Sequence, residues 1–230
     1  MEKNGKGIAI AGIILVIGIA VIITWTAAVK AIAGTNGGNG GVKEEVINAP
    51  VERIVVTEVS HDVLLKTAAD GKVKVVYTDT DNIVHRIDVS GNTLSVTAKQ
   101  KKGGWMKRLF GGLFSFSFKP EEKKQTIIYL PEGSYESLSV GTVSGDVEIP
   151  EAPEFSELEA ATVSGEINLT DADITGKVTL ETVSGDVSGN VQGSHSYDVH
   201  SLSGDKTFPE GTAGAPEVSV STTSGDVELS

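Results

Sequence analysis

The sequence predicts an all-β chain folded as a parallel solenoid, and three observations lead to that prediction. A six-residue unit centred on Ser-Gly-Asp or Ser-Gly-Glu recurs five times, alternating apolar residues surround each copy, and turn residues separate the copies. The copies occupy residues 142–147, 162–167, 182–187, 201–206 and 222–227, and their glycines are spaced 20, 20, 19 and 21 residues apart. A fixed period of this size is typical of solenoids, in which each unit buries its apolar side by stacking on a neighbour.

The first segment of the chain predicts one transmembrane helix over residues 8–29, with residues 1–7 as a cytoplasmic N-terminus. Residues 8–29 carry no charge, and a helix needs about 20 apolar residues to cross a bilayer. Lys3 and Lys6 precede the segment, and an excess of positive charge favours the cytoplasmic side. A cleaved signal peptide is the alternative, because Ala31-Ile32-Ala33 has the small-x-small form of a cleavage site.

A Gly-rich linker is predicted next, over residues 30–50. Five of the eight residues in 34–41 are glycine, and such a composition behaves as a flexible tether. The linker would hold a solenoid domain, predicted over residues 51–230, away from the membrane.

Each copy of the repeat shows the period of two that is typical of a half-buried strand. One face carries Val143, Gly145, Val147 and Ile149, and the other carries Thr142, Ser144, Asp146 and Glu148. Apolar pairs precede the copies at Leu138/Val140, Leu158/Ala160, Val178/Leu180, Tyr197/Val199 and Val218/Val220. The parity changes between Val140 and Val143, so each coil is predicted as a short strand, a corner, a longer strand and a loop.

A sixth, divergent copy lies far upstream and predicts that the solenoid starts near residue 51. It runs from Ile54 to Leu65 in the same register, with His61 in the place of the glycine. Further strands are predicted over residues 72–77, 83–89, 93–98 and 126–130, and these do not align with the 20-residue period.

A basic-aromatic loop is predicted over residues 99–124. It contains Trp105 and three alternating phenylalanines, Phe114, Phe116 and Phe118, among several lysines and an arginine. Aromatic and basic residues together suit the surface of an anionic membrane. The alternative is that the phenylalanines form the inward side of a strand or a cap on the core, with the basic residues in a solvated turn.

The charge of the chain is unevenly distributed and excludes some classes of partner. The net charge is −12. Residues 131–230 hold 19 acidic residues against two lysines, a net of −17, so residues 1–130 carry a net of +5. An acidic solenoid repels phosphate, so nucleic acid is not expected as a partner. The chain has no cysteine, which excludes disulfides and thiolate metal sites.

The acid that follows each repeated glycine is a candidate functional residue. Stacked coils would place Asp146, Glu166, Asp186, Asp205 and Asp226 in a ladder. The carboxylates would accept local backbone N–H bonds, as in Asx turns; alternatively, the ladder would bind cations such as Ca²⁺. The glycine itself is expected at an inward position too tight for a side chain, and the alternative is a bare strip for a ligand.

No catalytic, cofactor-binding or metal-binding residue is predicted, and the chain is not expected to be an enzyme or to use a cofactor. Its four histidines, His61, His85, His195 and His200, lack the spacing of metal ligands. There is no Gly-x-Ser-x-Gly elbow between a strand and a helix. A polysaccharide-acting β-helix enzyme remains a minor alternative, because paired carboxylates alone are weak support in so acidic a domain.

Residues 126–131, followed by the Thr-Val-Ser-Gly-Asp-Val units, resemble the putative-adhesin family of prokaryotic β-strand-repeat envelope proteins. The resemblance spans roughly residues 45–230. It implies a single-stranded, right-handed parallel β-helix carried behind one N-terminal membrane helix, in a domain of unknown function. It implies no catalytic or binding residues for this chain.

These observations favour a membrane-anchored extracellular β-solenoid that acts as a structural or adhesin-like surface module and binds a polymer or protein partner. The alternative is an accessory or sensor protein of a cell-envelope stress response, with the basic-aromatic loop facing the membrane. The strand ending at Ser230 has no cap. We therefore expect an exposed C-terminal edge that pairs with another copy to form a homo-oligomer, or is protected by Asp226 and Glu228.

Overall fold

The computed structural model describes residues 41–100, 124–150 and 153–230, which form seventeen β-strands in two sheets. The described residues contain no helix, so the all-β prediction is confirmed for them. Within these ranges there is accordingly no helix of the length and apolarity that a membrane crossing requires. The predicted transmembrane helix or signal peptide, and nearly all of the predicted basic-aromatic loop, lie outside the described residues.

The strands have the following bounds: β1 Gly41–Ile47, β2 Arg53–Thr57, β3 Asp62–Thr67, β4 Val73–Asp79, β5 Ile83–Ser90, β6 Thr93–Gln100, β7 Gln125–Leu130, β8 Ser134–Gly141, β9 Val147–Ile149, β10 Glu154–Thr162, β11 Ile167–Ala172, β12 Ile174–Thr182, β13 Val187–Val191, β14 Ser196–Ser203, β15 Lys206–Thr207, β16 Glu217–Ser224 and β17 Val227–Leu229. The nine-stranded sheet has the order β1-β4-β7-β3-β9-β11-β13-β17-β15, and the eight-stranded sheet has the order β14-β16-β12-β10-β8-β2-β6-β5.

Among the described residues, seven coils supply fourteen of the seventeen strands, and each coil contributes one strand to each sheet; β1, β4 and β5 are the other three. Neighbouring coils pair in parallel, as β10 does with β8 and β12, and as β11 does with β9 and β13. The strand before the corner is the longer one, which reverses the predicted lengths: β10 has nine residues and β11 has six. The reason is that the Val-Ser-Gly-Asp residues form the corner itself, so only the residues after them are left for the second strand.

The corner also corrects the predicted parity. Thr142 is buried although it was expected to face outward, and Val143 is only partly buried although it was expected to face inward. Gly145, Val147 and Ile149 are buried as predicted. The change of face therefore lies within the corner, after Thr142, and not before it.

Four of the five predicted apolar pairs lie in the core and in register from coil to coil, whereas Tyr197 and Val199 in the edge coil are only partly buried. Leu158 pairs with Leu138 on one side and Val178 on the other, and Ala160 pairs with Val140 and Leu180. These side chains are at most 1% exposed. The buried residues of both sheets form a single cluster, so each coil gains its apolar burial by stacking on its neighbours.

The sixth copy is confirmed in its predicted register. Ile54 pairs with Leu138, Val56 with Val140 and Val63 with Val147. The coil of β2 and β3 therefore lies directly against the coil of β8 and β9, although some 80 residues separate them in the sequence.

The strands that did not align with the 20-residue period lie together at the N-terminal end of the stack. β6 and β7 form a further coil outside β2 and β3. β4 and β5, which lie between these coils in the sequence, pair antiparallel with β7 and β6 and so extend the sheets beyond the repeat. β1 pairs antiparallel with β4 over residues 41–47, which were predicted as linker. The sheet thus begins about ten residues earlier than the repeat pattern indicates.

The coil order at the other end corrects the prediction of an exposed edge at the strand ending near Ser230. β16 lies between β12 and β14, and β17 lies between β13 and β15. The coil of β14 and β15 is the one at the edge. Its copy has Lys206 where the other copies have Val or Ile, and Lys206 is exposed. An inner coil would bury the charged side chain of Lys206, which is unfavourable. This copy of the repeat is therefore better suited to the edge of the stack.

Close backbone approach at the corners explains the repeated glycine. A Cβ placed on Gly165 would overlap the carbonyl oxygen of Gly145, and one on Gly185 would overlap the carbonyl oxygen of Gly165. The same holds for Gly145 against His61 and for Gly225 against Gly185. The expected tight inward position is confirmed.

We predict that Gly165→Ala destabilises the fold, because the added methyl group would force two stacked corners apart. Overpacking of this kind costs about 1–3 kcal/mol. For a domain of this size each kcal/mol lowers Tm by about 2–4 °C, which thermal unfolding followed by circular dichroism would measure.

Ser164→Ala is the matched control, since Ser164 is the exposed neighbour of Gly165 in the same corner. Its effect should stay within about 0.5 kcal/mol, as for other surface substitutions. An equal loss of Tm in both variants would show that crowding at the glycine is not the cause.

Candidate functional site

The corner between β10 and β11 is held by its threonine as well as by its glycine. The Thr162 Oγ1 accepts the Gly165 N–H at 3.0 Å and donates to the Gly145 carbonyl at 3.3 Å. Thr162 is fully buried. The hydroxyl therefore satisfies backbone groups within its own coil and in the next one, which fixes where the following acid lies.

The acids after the glycines form the expected ladder, and its hydrogen bonds run between coils. The Glu166 N–H donates to Asp146 Oδ1 at 3.0 Å, and the Asp226 N–H donates to Asp186 Oδ1 at 2.8 Å. The ladder extends to Asp62, whose Oδ1 accepts the Asp146 N–H at 3.1 Å. Backbone hydrogen bonding is thus the role seen for these carboxylates, with partners in the adjacent coil instead of the local Asx turn.

Beside this ladder, the outer face of the nine-stranded sheet carries a second row of polar side chains. Glu148, Asn168, Ser188 and Glu228 are register partners on successive strands, and we call this row with the corner acids the acidic strip. A hollow of about 310 Å³ lies on the strip and is lined by Asp146, Glu148, Pro150, Glu166, Asn168 and Thr170 among others. The strip offers a continuous row of carboxylate, amide and hydroxyl groups, which suits an extended or cationic partner.

The outer face of the eight-stranded sheet holds two carboxylates in a less solvated setting. Burial raises the pKa of Glu181, and the negative charge of Glu159 raises it further. Burial likewise raises the pKa of Glu159, with a smaller contribution from Glu157. Lys177 acts in the opposite direction on both groups.

A buried polar cluster lies at the other end of the molecule, where β5 meets the coil of β2 and β3. It consists of Glu58, His61 and His85, each of which offers one ligand atom within 4.8 Å of the others. Glu58 follows β2, His61 precedes β3, and His85 lies on β5. The Glu58 Oε1 is 2.8 Å from the His85 Nε2 and accepts the Thr126 hydroxyl at 2.5 Å.

The opposite side of His85 is held by Asp79. The Asp79 Oδ1 is 3.0 Å from the His85 Nδ1 and accepts the His85 backbone N–H at 2.8 Å. The Lys43 ammonium on β1 donates to the other Asp79 oxygen at 2.6 Å. The side chains of His85 and Glu58 are completely buried. The imidazole of His85 is therefore clamped between two carboxylates and fixed in orientation.

The pKa values of the two histidines of the cluster shift in opposite directions. Burial works against a charge on His85, but the hydrogen bonds and charges of Glu58 and Asp79 outweigh it and raise the pKa of His85. Burial lowers the pKa of His61. Burial also opposes ionisation of Asp79, yet the hydrogen bonds from Lys43 and His85 prevail and lower its pKa. The cluster thus shifts the pKa values of its two imidazoles in opposite directions.

His61 is the incompletely satisfied member of the cluster. It is 2% exposed, and its Nδ1 has no hydrogen-bond partner among the described residues. Its ring stacks on that of His85 with centroids 5.1 Å apart and an interplanar angle of 29°. A buried nitrogen without a hydrogen-bond partner costs about 1–3 kcal/mol of folding free energy. The unpaired Nδ1 of His61 therefore destabilises the fold.

The structure separates the other two histidines from this cluster. His195 is buried, and its Nε2 lies 3.0 Å from the Ile174 carbonyl oxygen. His200 is largely exposed beside Asp198, at 3.0 Å.

Sequence reasoning missed the cluster, although the divergent sixth copy contained a signal. In that copy Glu58 stands at the position of the corner threonine Thr142, and His61 stands at the position of Gly145. The two residues that build the corner in the neighbouring coil are therefore both replaced by residues with metal-ligating side chains. His85 lies outside the repeat, so its approach to this corner was not visible in the sequence.

We predict that Glu181→Gln stabilises the protein at neutral pH and not at acidic pH. Because the pKa of Glu181 is raised in the folded state, ionisation of Glu181 destabilises the fold as the pH rises through that pKa. The charge then forms in a buried setting beside Glu159. Removing the charge should raise Tm at pH 7, and the gain should disappear below the ordinary pKa of an unfolded glutamate, near 4.3.

Glu148→Gln provides the comparison, since Glu148 is an exposed carboxylate on the other sheet. Thermal unfolding between pH 4 and pH 8 would measure both variants. A Tm gain for Glu181→Gln that is the same at both ends of this range would contradict the prediction.

Comparison with known proteins gives a family and several similar folds. The profile of the Toastrack DUF4097 family matches residues 51–158 and 151–230. A solved structure of a putative cell adhesion protein from Clostridium sporogenes superposes with a TM-score of 0.55 at 14% identity, covering 82% of this chain and 99% of that one. This likeness concerns the fold.

Two further structures are more distant. A putative adhesin from Bacteroides fragilis has 14% identity and a TM-score of 0.41, covering 84% of this chain and 98% of that one. A putative lipid binding protein from Parabacteroides distasonis has 17% identity and a TM-score of 0.37, with the same coverage. No curated protein matches the chain at a significant level.

The match spans the coils described above, including the sixth copy and the N-terminal strands from residue 51 onward. The family match confirms the resemblance drawn from the repeated Ser-Gly-Asp units. The chain belongs to the Toastrack DUF4097 family.

Proposed function

We propose that this protein is a membrane-anchored, extracellular surface module that binds a cationic polymer or protein segment through the acidic strip. The observation that carries the proposal is the strip itself, a row of in-register polar and acidic side chains along the outer face of the nine-stranded sheet. Such a surface binds extended partners by repetition and does not require a deep pocket.

The distribution of charge supports a cationic partner. Residues 131–230, which supply the strip, carry a net charge of −17. Glu148 and Glu228 are exposed, whereas the strip has few basic side chains nearby, since Lys177 and Lys206 are the two lysines of that range. A field of one sign raises the local concentration and association rate of oppositely charged partners.

The proposed anchor is the charge-free segment over residues 8–29, followed by the glycine-rich residues 34–41. This arrangement would place the coils on the extracellular side, with the stack beginning at β1. The supporting observations are the length of the apolar run and the lysines that precede it. In this proposal the solenoid is a continuous single-stranded β-helix whose outer ladders face the surroundings of the cell.

Site-specific photocrosslinking in living cells would test the proposal. A photoreactive residue at Asn168, in the centre of the acidic strip, should capture a cationic polymer or protein. The same residue at Lys177, which is exposed on the other sheet, should capture much less. Equal capture at the two positions would argue against the strip as the binding surface.

Charge removal gives a quantitative prediction. Glu148→Gln with Glu228→Gln should weaken binding by about 0.2–1 kcal/mol for each charge removed, and the remaining affinity should fall with added salt. Binding of the full chain in nanodiscs to the captured partner would be measured by biolayer interferometry at several salt concentrations.

The matched control is Glu132→Gln with Glu210→Gln, which removes the same charge from exposed positions outside the strip. Both pairs of substitutions change the net charge by two. If the two double variants lost the same affinity, the effect would reflect total charge, and the strip would have no special role.

A further inference from the structure

The geometry points to a binding site for a divalent transition-metal cation, of which Zn²⁺ is the natural probe, formed by Glu58, His61 and His85. Two imidazoles and one carboxylate are ligands that zinc commonly takes in proteins. One ligand atom from each residue already lies within 4.8 Å of the other two. This inference concerns the N-terminal end of the stack and is independent of the acidic strip.

The unsatisfied His61 nitrogen is the second observation that points to a ligand. Its Nδ1 is buried and has no hydrogen-bond partner among the described residues, and one of its ring nitrogens lies within 4.8 Å of the ligand atoms of Glu58 and His85. A metal ion would accept the lone pair of this nitrogen and so remove the cost of leaving it unpaired.

Asp79 supplies the support that metal-binding histidines usually have. A histidine ligand commonly donates its other ring N–H to a carboxylate, which fixes the ring and increases its basicity. The His85 Nδ1 lies 3.0 Å from Asp79, and Asp79 is itself held by Lys43. The Nε2 of His85 is thereby directed at Glu58, and the proton now shared between them would leave when a metal enters, because ligands bind in their deprotonated form.

Only small movements separate this cluster from a coordinating geometry. A tetrahedral ion with bonds of about 2.0–2.1 Å needs its ligand atoms roughly 3.4 Å apart. The contact between Glu58 and His85 is 2.8 Å, and the other separations are at most 4.8 Å. Shifts of about an ångström in the side chains would accommodate the ion, with the fourth position left for water or another ligand.

The repeat supplies a physical reason why these residues are specific to this coil. Elsewhere the corner glycine lies against a carbonyl of the next coil, and there is no space for a side chain. On the outer side of His61 the neighbour is the imidazole of His85. This corner therefore accepts a large side chain, and Glu58 and His61 occupy its threonine and glycine positions.

The test is zinc binding to the full chain in detergent, produced without a histidine tag and freed of metal by a chelator. Wild-type protein should bind one Zn²⁺ per chain in a competition titration with a chromophoric chelator. His61→Gly should weaken that binding by more than tenfold, and Asp79→Asn by about 10–100-fold, as for other supporting residues of metal sites.

His61→Gly is chosen because glycine occupies the same corner position in the adjacent coil, so the backbone is compatible with it. His200→Ala is the control, since His200 is a largely exposed histidine far from the cluster in the sequence and in the sheet order. It should leave the zinc affinity unchanged. Circular dichroism would verify that each variant is folded.

Cobalt provides a readout that does not depend on any variant. Co²⁺ in the wild-type site should give the strong visible absorption of a four-coordinate centre with nitrogen ligands. The inference is overturned by an absence of zinc binding to wild-type protein, by an unchanged affinity in His61→Gly, by an equal loss in His200→Ala, or by a weak octahedral cobalt spectrum of an all-oxygen site.

Discussion

At each corner that has a glycine, the backbone of one coil lies against a carbonyl oxygen of the next, and this close approach governs the rest of the structure. Glycine is required because a Cβ at Gly145, Gly165 or Gly185 would overlap that oxygen. The contact fixes the register of the coils, so that apolar pairs meet in the core and acids meet outside. The carboxylate ladder follows from the same spacing, since each backbone N–H after the glycine reaches the acid of the neighbouring coil.

The sequence carried much of this information because the repeat is local and periodic. Alternation identified Leu158 and Val178 as core residues, and the shared register located the coil of β2 and β3 next to that of β8 and β9. The parity at Thr142 was predicted wrongly, because a period of two describes a strand and the residues after Thr142 form a turn. Neither the strand at β1 nor the shifted place of β14 follows from local pattern, since both depend on which neighbour a distant segment meets.

The buried cluster shows where a repeat departs from its own rule. Glu58 and His61 replace the threonine and glycine of the corner, and the side chain of His85 on β5 packs against His61 there. The resulting polar site depends on β1, β4 and β5 together, through Lys43, Asp79 and His85. The antiparallel strands therefore do more than cover the open end of the sheets: they position the charged groups that satisfy a buried imidazole.

The order of the coils also affects how the chain folds during synthesis and how proteolysis affects it. β14 and β15 leave the ribosome before β16 and β17, yet among the described residues these later strands are their pairing partners. Residues 196–207 must therefore wait, unpaired, until residues 217–229 have been synthesised. A protease that removes the segment from residue 217 onward takes away β16 and β17 and leaves β14 and β15 without the partners they have in the intact chain. The resistance of residues 217–229 to proteolysis therefore determines whether β14 and β15 keep their pairing partners.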